Sequence, residues 1–241
     1  LAMLWGKPML RHVWERARAA AGLDELVIAT DDDRIADAAR SWGATVEMTS
    51  STCTSGTDRV AEVARTRPWA EVVLNLQGDE PELETGAVTR LVAAMRSDAS
   101  VRMGTVAHHE PDLEAMASEH VVKVVLDDAD FALYFSRADL AGASKGGPAL
   151  RHAGVYAFRR DLLGPALRRL SPDNAQGEYY LTDVIGSLAA MGHLIGCVQV
   201  PESETRGVND RWQLAMAERE LRARTNRRHL LNGVTMLDPR Q

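Results

Sequence analysis

The residues of this chain best suited to chemistry lie in the run Leu74-Asn75-Leu76-Gln77-Gly78-Asp79-Glu80-Pro81. Its apolar part, Val72 to Leu76, has the pattern of a buried strand and stops abruptly at a glycine and a carboxylate. Ligands and metals collect at strand ends in open α/β sheets, which makes Asp79 the first candidate metal ligand. The same residues also fit a strand followed by an acidic turn. A second run, Ser55-Gly56-Thr57-Asp58-Arg59, sits just before an expected helix. Ser55 or Thr57 can cap that helix, Gly56 lets backbone approach a ligand, and the helix N-terminal amides favour an anion or a base carbonyl. A capping box with an incidental arginine would look the same.

The elements that must hold these residues are read from period and punctuation. Pro8 suits a first helical turn, Leu10, Val13, Trp14 and Ala17 recur at helical spacing, and Gly22 can close the end. Residues 26 to 30 read as a short buried strand. Asp31 to Asp33 cap a helix that stops at Gly43 before a strand near Thr45 to Met48. Helices are expected over about 57–66 and 84–95, with strands at 72–76 and near 103–106. The alternation then breaks, because 121–126 and 131–135 are apolar runs joined by Asp127-Asp128-Ala129-Asp130, the pattern of a hairpin. After a glycine-rich stretch at 141–148 come a strand near 153–158, helices around 161–170, 180–191 and 211–222, and a strand near 194–200. Strand and helix alternation predicts an α/β fold, a mostly parallel sheet with helices on both faces and an inserted β-hairpin extension.

With 241 residues the chain is long enough to bury a large core, and a single domain over 1–241 is expected. Its 28 basic and 34 acidic side chains give a formal charge of -6, which leaves no footprint for a nucleic-acid backbone. Cys53 and Cys197 lack any paired spacing for zinc or a redox dithiol. No run approaches the roughly 18 apolar residues of a membrane span. A cytoplasmic enzyme without a membrane partner is the expectation. His108-His109-Glu110 reads as a solvated loop, His12 as exposed, and the tryptophans as core or interface packing. There is no Ser-His-Asp or Cys-His constellation, and no Gly-x-Gly-x-x-Gly follows a strand, which disfavours a dinucleotide-binding dehydrogenase.

Seven runs in order carry a resemblance. They are Gly6-Lys7-Pro8-Met9, Ala29-Thr30-Asp31, Ser55 to Arg59, Gln77 to Pro81, Val122-Lys123-Val124-Val125, Ala132-Leu133-Tyr134-Phe135-Ser136-Arg137 and Arg151-His152-Ala153-Gly154-Val155-Tyr156. Together they resemble the 3-deoxy-manno-octulosonate cytidylyltransferases, the CMP-Kdo synthetase family, over roughly residues 3–160. From about 170 to 241 the chain instead resembles the uridylyltransferase domain of bifunctional N-acetylglucosamine-1-phosphate uridylyltransferase, on residues 173–183, 207–214 and 231–239. Both families imply a Rossmann-like nucleotidyltransferase sheet of the GT-A type.

The resemblance implies a division of labour. Asp79 is matched to a Mg²⁺ ligand and Asn209 to the second metal position, as in the uridylyltransferase; an amide oxygen is a hard ligand without charge. Asn209 also fits a helix N-cap. Ser55, Gly56, Thr57, Arg59, Gln77 and Gly78 would bind the nucleotide. Ser136, Arg137, His152 and Tyr156 would face an acidic sugar, whose carboxylate an arginine fork pairs in bidentate fashion. Lys7 would neutralise phosphate. In both families a first strand and a phosphate-holding loop precede the position of Leu1, so the chain is expected to begin late. Glu178-Tyr179-Tyr180-Leu181-Thr182-Asp183 departs from the cytidylyltransferase pattern and puts the identity of the sugar in question.

The expected reaction is Mg²⁺-dependent: a sugar oxygen attacks the α-phosphate of CTP in line and expels pyrophosphate, chemistry that needs positioning and charge stabilisation. The acceptor is a Kdo-like 2-keto sugar acid, and the family implies a homodimer. UTP with N-acetylglucosamine 1-phosphate, a sugar phosphate, is the rival reaction. A nucleotide-binding protein without turnover is the third reading.

Overall fold

The computed structural model describes residues 1–110, 112–118, 121–137, 150–168, 181–208 and 210–240. The glycine-rich stretch at 141–148, residues 173–180 and Asn209 lie outside them. The chain opens with a tight antiparallel pair, β1 (Met3–Leu4) and β2 (Lys7–Pro8), and continues through α1 (Met9–Arg18), β3 (Val27–Thr30), α2 (Asp33–Ser41) and β4 (Thr45–Met48). Next come α3 (Gly56–Arg65), β5 (Val72–Asn75), α4 (Thr85–Ser97) and β6 (Val101–His108). The later part holds α5 (Leu113–Ala117), β7 (Lys123–Leu126), β8 (Ala132–Ser136) and the long strand β9 (Leu150–Arg159). It ends with α6 (Arg160–Leu167), α7 (Leu181–Ala190), β10 (Leu194–Val200), a 3₁₀ turn at Glu202–Glu204 and α8 (Arg211–Leu231).

Local chemistry explains where the helices begin. Pro8, at φ -55°, stands at the N-cap of α1, and Val13, Trp14 and Ala17 turn inward. Asp32 accepts the Arg34 amide at 2.8 Å to start α2, and Ser55 accepts the Asp58 amide at 3.1 Å to start α3. Asp210 caps α8 by accepting the Gln213 amide at 2.7 Å, so the cap belongs to Asp210 and not to Asn209.

The strands are arranged around β9. A six-stranded sheet runs in the order β10, β6, β9, β7, β8, with β5 also hydrogen-bonded to β9. β6 and β10 pair parallel, as do β3 and β4, but β9 is antiparallel to β5, β6 and β7. The α/β class with helices on both faces holds, while the sheet is mixed, because β9 runs antiparallel to β5, β6 and β7. Alternate residues of β9 serve two cores. Tyr156 and Phe158 join Met103, Leu163, Ile185 and Ile195, whereas Ala153, Val155 and Ala157 join Leu83, Leu91, Met95 and Val106 under α4.

Several expectations need correction. The β1–β2 pair and α5 have too little periodicity to be read, and α8 runs on to Leu231, beyond the expected 222, since neither Gly nor Pro interrupts it. His12 is partly buried and its Nε2 lies 2.7 Å from the Leu4 carbonyl, so it ties α1 to β1 instead of facing solvent. His108 is the last residue of β6 and only 3% exposed, and Glu110 pairs with Arg151 at 2.9 Å, so of these three only His109 is an exposed loop residue. Of the tryptophans, Trp14 is buried, whereas Trp69 and Trp212 are 61% and 74% exposed. No helix among the described residues is long and apolar enough to cross a membrane.

Phe158 is fully buried where β5, β6 and β9 meet. Phe158→Ala is expected to lower the unfolding free energy by about 3–5 kcal/mol, read from urea denaturation midpoints.

Candidate active site

Two glycines bracket Gln77. A Cβ on Gly56 would lie 3.8 Å from Gln77 Oε1, and a Cβ on Gly154 would lie 3.7 Å from Gln77 Cγ. The start of α3 and the middle of β9 therefore both come close to the same side chain. Gln77 Nε2 reaches Asn75 Oδ1 at 3.5 Å, and buried Asn75 donates through Nδ2 to Thr57 Oγ1 at 3.0 Å. Ser55, Gly56, Thr57 and Gln77 thus form one polar edge at the end of β5. Gly78 continues it, and a Cβ there would lie 3.2 Å from Leu10 Cδ1, so the turn packs against α1.

Asp79 follows in the turn and is partly buried. Burial pushes its carboxyl above the usual aspartate value, with a backbone hydrogen bond opposing. Its carbonyl accepts the Val208 amide at 2.8 Å, which lays the segment leading to Asn209 beside the Asp79 turn. Among the described residues no three His, Cys, Asp or Glu side chains gather as a metal site. A lone carboxylate of this kind suits Mg²⁺, which keeps several waters and is held through one or two carboxylates plus substrate phosphates. The next residue, Glu80, is buried, and its carboxyl is raised well above the usual glutamate value, first by burial and then by Asp79's charge.

The residues assigned to the sugar also come together. The rings of His152 and Tyr156 are 4.6 Å apart by centroid, and Phe135 of β8 lies 5.0 Å from His152 on the other side. The reason is a bulge. Tyr156 pairs with Thr105 and His152 with Ala107, so Val106 alone on β6 faces Ala153, Gly154 and Val155 on β9. Gly154 takes φ +66°, and its amide donates to His152 Nδ1 at 3.0 Å. A backbone amide must donate, so Nδ1 accepts and the proton of the neutral ring is on Nε2. That Nε2 is buried and meets no hydrogen-bond partner. Arg137's charge is felt at both His152 and Tyr156, and its carbonyl accepts from Lys123 Nζ at 2.8 Å. Lys123 is fully buried and also donates to the Ser118 carbonyl at 2.6 Å, so it fixes the chain where β8 ends at Ser136.

Two expected residues stand apart. Lys7 Nζ is taken up by Glu15 at 2.7 Å, and Glu15 is held below its ordinary value because hydrogen bonds from Lys7 and Arg11 outweigh its burial. Arg59 pairs with Asp31 at 2.8 Å and reaches Thr49 Oγ1 at 2.9 Å, so it ties α3 to the ends of β3 and β4. The residues passed over in the sequence are Asn75, Lys123, Phe135 and Gly154. Asn75 had a signal, being a polar residue inside an apolar strand run; the other three become visible only through contacts. A surface cavity of about 520 Å³ lies elsewhere, lined in part by Glu84, Gly86, Glu220 and Arg224, where Arg224 is already paired with Glu84 and Glu220.

Burial lowers the His152 pKa from 6.5 to about 3, with a smaller push from the Arg137 charge, against the opposing pull of the Val155 backbone. A ring depressed in the native state takes its proton first in the unfolded chain. Its contribution is therefore full above about pH 6.5 and is lost as pH falls from there toward 3, by at most about 5 kcal/mol. His152→Phe keeps a ring in place and should flatten this acid limb, as measured by urea midpoints between about pH 4 and 8. Equal acid loss in both proteins would rule the assignment out.

Comparisons with known proteins bear on the family of the chain. The cytidylyltransferase family model matches residues 1–176. The 3-deoxy-manno-octulosonate cytidylyltransferase of Geobacter metallireducens is 43% identical over 185 residues, covering 71% of this chain and 72% of that protein. Its namesake in Thioalkalivibrio sulfidiphilus is 38% identical over 236 residues, 92% of each chain. A solved CMP:2-keto-3-deoxy-manno-octonic acid synthetase, complexed with CTP, superposes with a TM-score of 0.79 at 33% identity, covering 93% of this chain and 91% of that one. The 4-diphosphocytidyl-2C-methyl-D-erythritol synthase of Anaerococcus prevotii, at 15% identity and a TM-score of 0.61, shares the fold. Because the Thioalkalivibrio match extends through the C-terminal third, the uridylyltransferase resemblance of about 170–241 gains no support here. Matched by the family model over most of its length and by full-length relatives, the chain is an enzyme of the cytidylyltransferase family, in its 3-deoxy-manno-octulosonate branch.

Proposed function

We propose that this chain, acting as a single domain, couples CTP to a 2-keto sugar acid of the 3-deoxy-manno-octulosonate type and releases pyrophosphate. The observation that supports the reading is the close approach of both Gly56 and Gly154 to Gln77, which in this reading joins a nucleotide edge to a sugar edge. Relatives of that name and a solved relative described with CTP support the choice of substrates. Such a reaction consumes a nucleoside triphosphate, which suits a cytoplasmic location.

In this reading the amides at the start of α3, with Ser55 and Thr57, hold the nucleotide, and Gln77 bonds its base. Helix N-terminal amides suit anions and base carbonyls without needing a charged side chain. Arg137 takes the sugar carboxylate in its planar fork. The Nε2 proton of His152 is donated to a sugar oxygen, and the rings of Phe135 and Tyr156 hold the imidazole in place. A sugar hydroxyl oxygen so placed forms a bond to the α-phosphorus, the bond from that phosphorus to the bridging oxygen breaks so that pyrophosphate leaves with the electron pair, and the hydroxyl proton passes to solvent water. Asp79 and Asn209 would hold Mg²⁺, which supplies positive charge against the triphosphate. Neither Lys7 nor Arg59 is needed in a direct role.

The test is pyrophosphate release. CTP with the sugar acid should turn over, should stop with EDTA, and should recover with Mg²⁺. Asp79→Asn is expected to lower kcat by about 100-fold or more. Faster release from UTP and N-acetylglucosamine 1-phosphate, or CTP binding without turnover, would overturn the reading.

A further inference from the structure

Glu80 has no role in what has been described, yet its placement is unusually constrained. It is 6% exposed, and its Oε2 is buried with no hydrogen-bond partner. Its Oε1 occupies space that exists only because residue 154 is glycine, since a Cβ there would lie 1.9 Å from that oxygen. Its backbone is pinned on both sides, the amide donating to the Gln77 carbonyl at 3.4 Å and the carbonyl accepting from the Leu83 amide at 3.1 Å. A buried carboxyl without a donor lowers stability, so the fold by itself does not call for it.

Its neighbours show what the carboxyl controls. On a regular strand, residues four apart stand about 13 Å from each other, which would separate His152 from Tyr156. The bulge centred on Gly154 brings their rings to 4.6 Å. Glu80, one residue after Asp79, sits where a Cβ of Gly154 in that bulge would stand.

We propose that Glu80 is a positioning residue: its carboxyl, seated against the bare Cα of Gly154, holds the His152–Tyr156 pair in register with the Asp79 turn. The sugar acid is thereby oriented toward the nucleotide by the shape of a side chain that touches neither. This inference rests on the proposed function, because it presumes that β9 faces the sugar.

Steady-state kinetics with CTP and the sugar acid varied separately test it. Glu80→Ala is expected to raise the sugar-acid KM by about tenfold or more, leave the CTP KM within about twofold, and melt no lower than the wild type. Glu80→Gln, which keeps the shape, should recover most of the lost sugar-acid affinity. Gly154→Ala should reproduce the sugar-acid defect, and Glu80→Ala in that background should relieve the clash and raise its melting temperature. If Glu80→Ala fails to fold, Glu80→Ser, which also empties the space against Gly154, carries the same expectation. A sugar-acid KM within about twofold of wild type, or equal rises in both KM values, overturns the proposal. Wild-type protein that releases no pyrophosphate defeats the function reading instead, whereas an active wild type with an indifferent Glu80→Ala defeats only this one.

Discussion

Residues 77–84 leave one strand, pass beneath another and enter a helix without a repeating backbone pattern, and their buried amides and carbonyls must still be paired. The Glu80 and Leu83 amides are satisfied within the segment, by the carbonyls of Gln77 and Glu80. The Asp79 carbonyl and the Glu84 amide are satisfied only from outside, by the Val208 amide at 2.8 Å and the Glu204 carbonyl at 3.0 Å. These two bonds make the turn after β5 and the connection from β10 to α8 one structural unit. Glu84 extends it through ion pairs with Arg16 of α1 and Arg224 of α8, both at 2.7 Å. The position of the Asp79 carboxyl is thus inherited from α1, α8 and the end of β10, and it does not depend on the flexibility of an exposed loop.

The electrostatics around this turn are lopsided. Asp79 and Glu80 are adjacent carboxyls in a partly dry environment, each pushed upward by burial. Positive charge is held elsewhere: Lys7 on Glu15 and Arg59 on Asp31. Across the site, His152 is kept neutral, so it can donate from Nε2 without adding charge of its own. A site built this way favours a cationic partner at Asp79 and hydrogen-bond donation at His152. That is the division a phosphoryl transfer needs, where positioning and charge placement do most of the work.

Much of this arrangement is legible in the residues. The run from Asn75 to Pro81 marks a strand end, Ser55-Gly56-Thr57 marks a helix start, and the two meet through the Asn75–Thr57 bond. The hairpin read from 121–126 and 131–135 is present as β7 and β8. That Arg59 and Lys7 meet carboxylates is not legible in the sequence, because a basic side chain near a glycine turn looks alike whether it meets a phosphate or a carboxylate. Their acidic partners, Asp31 and Glu15, are respectively 28 and eight residues away in the chain. The antiparallel course of β9 was missed for a similar reason, since strand direction in a sheet leaves no periodic trace in the strand itself.

By itself, then, the sequence determined the class of the chain and the ends of most elements, because these follow from period, capping and residue type. The tertiary structure alone decided how the side chains face one another. Gly154 reads as an ordinary glycine between a histidine and a tyrosine until β6 fixes the register that forces a bulge there. Only then do His152 and Tyr156 touch, and only then is there room for the carboxyl of Glu80. Register and close approach are set by pairing between segments far apart in the chain, here β5, β6 and β9, and no single segment carries that information.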